Sequence, residues 1–361
     1  MRSLIAVFAV FLLAAGQGSV RIGSDAAIIK LSPPEMITSL EGGTIDGAVM
    51  WEPWAALAVQ RGMAECVTNS SEIWRGHPCC VIAAREDWSE NNDDVLTGFV
   101  AAHIAATDWI NRALNSNDSR LYDYAEQLTG LNRSVVEPAL KNLKFDYEID
   151  RQGIEEMGEE LMKLELFEPQ RWHDSGYGSV GNYISSVIRD DYVKSVTETK
   201  AKEVPFWQSL CSPALCPPQT AGKKTTVRIG YIRGILDHLP LFVAVGEGFL
   251  DRAGISPVLQ AFDNGPRVMV EGFKMDIVDV AYLGIVPALL YGINANDGDL
   301  ALDLISAVNS EGSSLLVRRG VREVKTLATP GPGTVQYFLA LKVIDEPRQG
   351  NRYKVTGGLL V

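Results

Sequence analysis

The sequence lacks the motifs of several common enzyme classes. Its four histidines are scattered, and it contains neither the H-E-x-x-H motif of metalloproteases nor the G-x-S-x-G motif of α/β-hydrolases. It also has no cysteine-rich iron motif and no poised acid/base pair. These absences remove the main support for a hydrolase or a metalloprotease, and we expect no catalytic residues.

Basic residues are in deficit. The chain has 33 Lys and Arg residues against 45 Asp and Glu residues, a formal net charge of -12. Because contacts to phosphates need a basic surface, we expect no nucleic-acid partner. A buried site can still hold a small anion through backbone N–H groups at helix N-termini, each contributing about 0.3–1 kcal/mol.

Cysteine is rare, and its five copies are an odd number. The spacing of Cys211 and Cys216 fits no zinc motif, and Cys79 and Cys80 precede the apolar run Val81–Ala83. We therefore favour ordinary buried thiols over a redox or metal role, and expect no metal and no cofactor. A disulfide between Cys211 and Cys216 stays open as an alternative if the chain is exported.

Long apolar runs are also few. Residues 1–20 contain Arg2, the apolar run Leu4–Ala15 and then small residues, a pattern typical of a secretory signal. The run is too short to span a bilayer comfortably. A signal would predict an extracytoplasmic location, in the periplasm or at the cell surface, whereas the alternative is a buried helix that ends at Gly16.

The length and composition are those of a globular protein with a large core. At 361 residues, 46% hydrophobic and 22% charged, the chain should form two lobes or domains.

The stretch Val227–Pro287 predicts a β-α-β-α-β unit. Its apolar patterns indicate three strands and two helices in alternation: strands 227–231, 258–262 and 277–282, and helices 240–249 and 266–273. Ligands of open α/β sheets bind at the carboxyl ends of the strands. Here that edge is formed by the loops Ile232–Leu239, Asp263–Pro266 and Tyr282–Pro287.

A second region repeats the pattern. A strand at 26–31 is followed by a helix that opens near Ser32, and by a strand at 45–50 that leads into Trp51-Glu52-Pro53. Glu41-Gly42 followed by Asp46 parallels Glu271-Gly272 followed by Asp279. We therefore expect two similar lobes that face each other.

Four motifs carry a resemblance to a known family: V-R-I-G-Y-I at 227–232, D-H-L-P-L-F-V-A-V-G-E-G-F-L at 237–250, D-V-A-Y-L-G-I-V-P-A at 279–288 and A-T-P-G-P-G-T-V-Q at 328–336. In this order and spacing they resemble the periplasmic-type substrate-binding proteins of ABC importers, in the nitrate, sulfonate and taurine branch. The resemblance implies an α/β, two-lobed periplasmic-binding-protein-like fold of type II, each lobe a mixed or parallel sheet flanked by helices.

The order of these parts departs from the family. Residues 26–205 resemble the family's later portion and residues 227–345 its earlier portion, so the two portions are rotated. A circular permutant could rebuild one complete two-lobed protein, because permutation is tolerated at surface termini. Alternatively, two incomplete neighbouring copies have been joined, which would leave a non-functional fusion fragment.

The expected domain boundaries follow from the first explanation. Residues 21–80 and 326–361 form one lobe, residues 81–204 and 227–325 form the other, and residues 205–226 are a linker rich in proline and small residues.

The resemblance implies that hinge closure traps a solute between the lobes. The candidate ligand-binding residues lie at strand ends and helix starts: Trp51, Glu52, Asp237, His238, Gly265, Tyr282, Gly284, Ile285, Gly333, Thr334 and Val335.

Several of these residues have a plainer alternative. Gly333 and Thr334 could offer N–H groups to an anion or simply start a helix at the hinge. His238 could donate to an oxyanion or cap the next helix. The aromatic faces of Trp51 and Tyr282 could cover an apolar part of the ligand. Glu52 would repel a bare anion, which indicates a zwitterion unless Glu52 only forms a salt bridge within its lobe.

The sequence thus predicts a solute-binding component of an ABC importer. Its solute would be a small anion or zwitterion of the sulfonate, taurine, nitrate or bicarbonate class, and its partners would be a permease and an ATPase at the membrane surface. The alternative is an enzyme of the same fold, similar to thiamine-precursor pyrimidine synthases or menaquinone-pathway enzymes.

Overall fold

The computed structural model describes residues 19–202, 224–294, 301–345 and 352–354. Most of the predicted signal segment, most of the predicted linker, and Cys211 and Cys216 lie outside the described residues. Among the described helices, none combines the length and hydrophobicity that a bilayer crossing requires.

The described residues contain twelve strands. They are β1 (Ser19–Lys30), β2 (Gly47–Trp51), β3 (Ala64–Asn69), β4 (Pro78–Arg85), β5 (Leu143–Phe145), β6 (Thr225–Ile232), β7 (Ile255–Phe262), β8 (Val280–Gly284), β9 (Leu302–Glu311), β10 (Ser313–Arg318), β11 (Glu323–Thr329) and β12 (Arg352–Lys354).

Helices pack around these strands. They are α1 (Pro33–Gly42), α2 (Trp54–Gln60), α3 (Ser70–Ile73), α4 (Glu86–Ser89), α5 (Asp93–Ser116), α6 (Ser119–Thr129), α7 (Arg133–Leu140), α8 (Arg151–Lys163), α9 (Pro169–Ser175), α10 (Val180–Val187), α11 (Asp191–Lys202), α12 (Leu239–Gly246), α13 (Phe249–Arg252), α14 (Gly265–Arg267), α15 (Ile285–Asn294) and α16 (Val335–Asp345). A 3₁₀ turn, Leu236–His238, precedes α12, and a π-helical segment, Val268–Phe273, follows α14.

The strands form two six-stranded mixed sheets. The first has the order β12-β1-β11-β2-β10-β3, and the second has the order β5-β9-β4-β8-β6-β7. In the first sheet β1 runs parallel to β11, while β10 runs antiparallel to β2 and β3. This two-lobed α/β architecture confirms the predicted fold class.

Each sheet contains strands from both portions of the chain. β4, from the early portion, lies between β8 and β9 of the late portion, and its Ile82 pairs with Tyr282 on one side and Ser306 on the other. In the other sheet the late strand β10 lies between the early strands β2 and β3. The rotated portions therefore build one pair of lobes together.

The apolar pattern explains why β4 is central. Seven of its eight residues are buried, as expected for a strand that is covered on both faces and hydrogen-bonded at both edges. Its neighbour β8 is similarly apolar. Long helix α5 packs against this sheet, and it ends where Asn117 adopts the left-handed conformation with φ of 54°.

Two details differ from the sequence-based expectations. β1 starts at Ser19, ahead of the predicted strand, and has an irregularity between Ile22 and Ala27. β10 belongs to the first sheet, whereas the expected boundaries place residues up to 325 in the second lobe. The chain passes from one sheet to the other at Glu311 and Gly312, whose φ angles of 65° and 84° lie in the left-handed region. A side chain at Gly312 would meet Leu143.

Candidate functional site

The ends of β2 and β6 bring the two lobes into contact. The backbone N–H of Leu236, in the 3₁₀ turn after β6, donates to the carbonyl oxygen of Glu52 at 3.2 Å. A Cβ built on Gly234 would lie 3.7 Å from Trp54. We define the junction cluster as seven residues around this contact, each at most 5% exposed: Trp51, Glu52, Cys79, Cys80, Asp237, His238 and Asn309.

Glu52 is fully buried and bound by neutral donors. Its carboxylate accepts the backbone N–H of Ala56 at 3.0 Å, in the first turn of α2, and the side-chain amide of Asn142 at 2.7 Å. Burial raises the pKa of Glu52 to about 7, and the charge of Asp237 adds to the shift. Within the described part of the chain no cation pairs with Glu52, so the salt-bridge alternative finds no support.

Asp237 lies at the centre of the cluster. Its Oδ1 accepts from the amide of Asn309 at 2.8 Å and from the Cys79 thiol at 3.3 Å. Burial raises the pKa of Asp237 to about 6. Its Oδ2 is buried and has no hydrogen-bond partner among the described residues.

His238 is held as a neutral ring. Its Nδ1 accepts the backbone N–H of Ile232 at 3.0 Å, which places the ring proton on Nε2. Burial lowers the pKa of His238 to about 3, so the ring stays uncharged near neutral pH. The side chain does not cap α12. Its Nε2 is buried and unpaired within the described ranges.

Tyr282 lies in the core beneath the cluster. It is 1% exposed, and its hydroxyl is 3.1 Å from Nδ1 of His103. The Nε2 of His103 lies 2.9 Å from the carbonyl oxygen of Ala307, as in a packed core histidine. The Tyr282 ring also contacts the His238 ring, with ring centroids 5.7 Å apart.

A second group of candidates lies around Pro287. A Cβ built on Gly265 would lie 2.5 Å from Pro287 Cγ, and one built on Gly284 would lie 3.4 Å from Pro287 Cδ. Gly333, from the other lobe, lines the same mostly apolar cleft of about 340 Å³. Ile285 is fully buried at the start of α15. A larger cleft, of about 530 Å³ along α8, contains none of the predicted residues.

Thr334 and Val335 form a helix start. The Thr334 hydroxyl donates to the carbonyl oxygen of Gly331 at 2.8 Å and accepts the N–H of Tyr337 at 3.2 Å. Val335 is 3% exposed. These bonds are those of a capping threonine, which fits the helix-start alternative.

Sequence reasoning did not single out Asn142 or Asn309, and it assigned Cys79 and Cys80 only a packing role. Asn309 directly follows the largely apolar stretch 301–308, so a polar side chain after such a stretch was the available signal. Asn309 and Asp237 are 72 residues apart in the sequence, so no local pattern indicates their contact.

Comparison with known proteins gives the following matches. The sequence profile described as the NMT1-like family matches residues 10–121 and 220–343, more than half of the chain. The nitrate import ATP-binding protein NrtC of Synechocystis sp. is 28% identical over 121 residues, which cover 34% of this chain and 18% of NrtC. The nitrate/nitrite binding protein NrtA of Nostoc sp. is 28% identical over 101 residues, 28% of this chain and 23% of NrtA.

The matched stretch thus spans less than a quarter of either relative. Among solved structures, the periplasmic EDTA-binding protein EppA aligns with 79% of this chain and 52% of its own, at 12% identity and a TM-score of 0.35.

Proposed function

Because the chain belongs to the NMT1-like family, we propose that it is the solute-binding component of an ABC importer. It binds a small zwitterion or anion between its two lobes and delivers it to a permease and an ATPase from the extracytoplasmic side of the membrane. Two matched relatives carry nitrate import and nitrate/nitrite binding in their names, which supports this class of role.

One observation carries the proposal. Four buried polar atoms of the junction cluster have no hydrogen-bond partner in the part of the chain that the structure describes: Trp51 Nε1, Asp237 Oδ2, His238 Nε2 and Asn309 Oδ1. An unsatisfied buried polar group costs about 1–3 kcal/mol. Such atoms at the contact between two lobes are typical of groups that pair with a ligand.

The chemistry of these atoms favours a zwitterion. Trp51 Nε1 and His238 Nε2 are N–H donors, which suit the oxygens of a sulfonate or carboxylate. Asp237 Oδ2 and Asn309 Oδ1 are acceptors, which suit an ammonium group. The cluster contains no Lys or Arg, and the buried carboxyl groups of Glu52 and Asp237 disfavour a bare anion. An amino-sulfonate matches this set better than nitrate.

Isothermal titration of the purified chain tests the proposal. We expect taurine to bind at least about 10-fold more tightly than ethanesulfonate, nitrate or bicarbonate, because a hydrogen bond to a charged group contributes about 1.5–3 kcal/mol. Taurine should also raise the melting temperature, since a ligand of the folded state stabilises it.

The variant Asp237→Asn should remove most of the preference for taurine over ethanesulfonate. The matched control is Asp174→Asn on exposed helix α9, which should leave the preference unchanged. Failure of all four solutes to bind would contradict the proposal. Tighter binding of nitrate than of taurine would contradict the preference for a zwitterion.

A further inference from the structure

Two consecutive cysteines of β4 point to the same carboxylate. Neighbouring residues of a regular strand face opposite sides of the sheet. Here the pairing of β4 with β9 is irregular between Pro78 and Val81, and this bulge turns both thiols toward Asp237. Cys79 Sγ lies 3.3 Å and Cys80 Sγ lies 3.9 Å from Asp237 Oδ1, and the two sulfurs are 3.9 Å apart.

These distances match the edges of a tetrahedral metal site. With Zn–S bonds of about 2.3 Å and Zn–O bonds of about 2.1 Å, a tetrahedron has an S–S edge of about 3.8 Å and S–O edges of about 3.6 Å. The three ligand atoms of Cys79, Cys80 and Asp237 all lie within 4.8 Å of one another. An ion could therefore bind with little movement of the side chains.

A fourth donor lies beside them. The Asn309 amide is 2.8 Å from Asp237, and its Oδ1 is buried without a partner among the residues described. Rotation of the amide by half a turn would turn this oxygen toward the metal position between the two sulfurs and Asp237. The site can accommodate the rotation because the amide nitrogen and oxygen are nearly equal in size. The set would then be two sulfurs and two oxygens.

We propose that Cys79, Cys80 and Asp237, with Asn309 as the fourth ligand, form a binding site for a thiophilic divalent cation of the Zn²⁺ class. This departs from the sequence-based expectation of ordinary buried thiols and no metal. Binding displaces the two thiol protons to solvent, and the ion balances two of the three negative charges of the ionised ligands. Because the cluster lies at the junction of the two lobes, opening of the lobes exposes the site to solvent and lets the ion enter.

Titration of the metal-free full chain with Co²⁺ provides the test. We expect one Co²⁺ per chain, with a near-ultraviolet thiolate-to-cobalt charge-transfer band and visible bands of tetrahedral cobalt, both displaced by one equivalent of Zn²⁺. The variants Cys79→Ser and Cys80→Ser should each lose this band. In each variant the dissociation constant for Zn²⁺ should also rise by more than about 100-fold. Loss of an outer-shell partner alone would raise it by only about 10–100-fold.

The chain offers matched controls. Cys66, whose thiol donates to Asn69 in the first sheet, should be dispensable, so Cys66→Ser should keep the band. The double variant Cys211→Ser/Cys216→Ser should also keep it. A band that survives in Cys79→Ser and Cys80→Ser would overturn the proposal, as would no band in the full chain. The proposed metal and solute sites share Asp237 and Asn309, so the two ligands exclude each other. Because the cobalt titration contains no solute and the taurine titration uses the metal-free chain, the two outcomes are independent.

Discussion

Replacing Ile82 by alanine is expected to lower the free energy of unfolding by about 2–5 kcal/mol. Ile82 is 0% exposed in β4, where an early strand is enclosed by the late strands β8 and β9. Removal of its methyl and methylene groups would leave a cavity at the seam between the two portions of the chain. Urea-induced unfolding, followed by tryptophan fluorescence, measures the change.

A substitution on an edge strand provides the control. Val258 in β7 is 51% exposed, so Val258→Ala should change the free energy of unfolding by no more than about 0.5 kcal/mol. If the early and late portions were separate bodies, β4 would lack its neighbours and Ile82 would lie in an open sheet. Similar small losses for both variants would therefore contradict the shared sheet.

Replacing Glu52 by glutamine is expected to change the pH dependence of stability. The pKa of Glu52 is about 7 in the folded protein against a reference value of 4.5, so the folded state binds more protons between these values. The contribution of Glu52 to the free energy of unfolding is therefore fully present below pH 4.5 and is lost as the pH rises toward 7. A shift of this size corresponds to about 3 kcal/mol.

Glutamine removes this titration but keeps an acceptor for the Ala56 N–H. Between about pH 4 and about pH 8, the free energy of unfolding of Glu52→Gln should rise by about 3 kcal/mol relative to the wild type. Urea unfolding of both proteins at the two pH values measures the double difference. Glu137→Gln, on the exposed face of α7, is the control. Equal pH dependence in Glu52→Gln and the wild type would show that Glu52 is not buried as described.

Much of the fold could be predicted because its strands are short apolar runs bounded by turn residues. The strand predicted at 227–231 corresponds to β6, and that predicted at 258–262 corresponds to β7. Helix α5 has the same local character, with apolar residues at helical spacing along its length. Such patterns are local, so a single sequence reveals them.

The candidate site was predictable only where it depends on strand ends. The sequence places Glu52 and Asp237 at the ends of strands in two facing lobes, and a backbone hydrogen bond between Leu236 and Glu52 brings their loops together. The β4 bulge and the Asn309 contact depend on tertiary pairing across the sheet. The left-handed backbone of Glu311 moves β10 to the other sheet, and a glutamate gives no local signal for that conformation.

The most direct test of the shared lobes is native-state hydrogen exchange, measured by mass spectrometry at increasing urea. Strands of one sheet should lose protection together, whichever lobe opens first. We predict that β4 is deprotected with β8 and β9, and that β2 is deprotected with β10 and β11. The contrary result is that β2 and β4 lose protection together at a urea concentration where β8 and β10 stay protected. That result would show that the early and late portions fold apart.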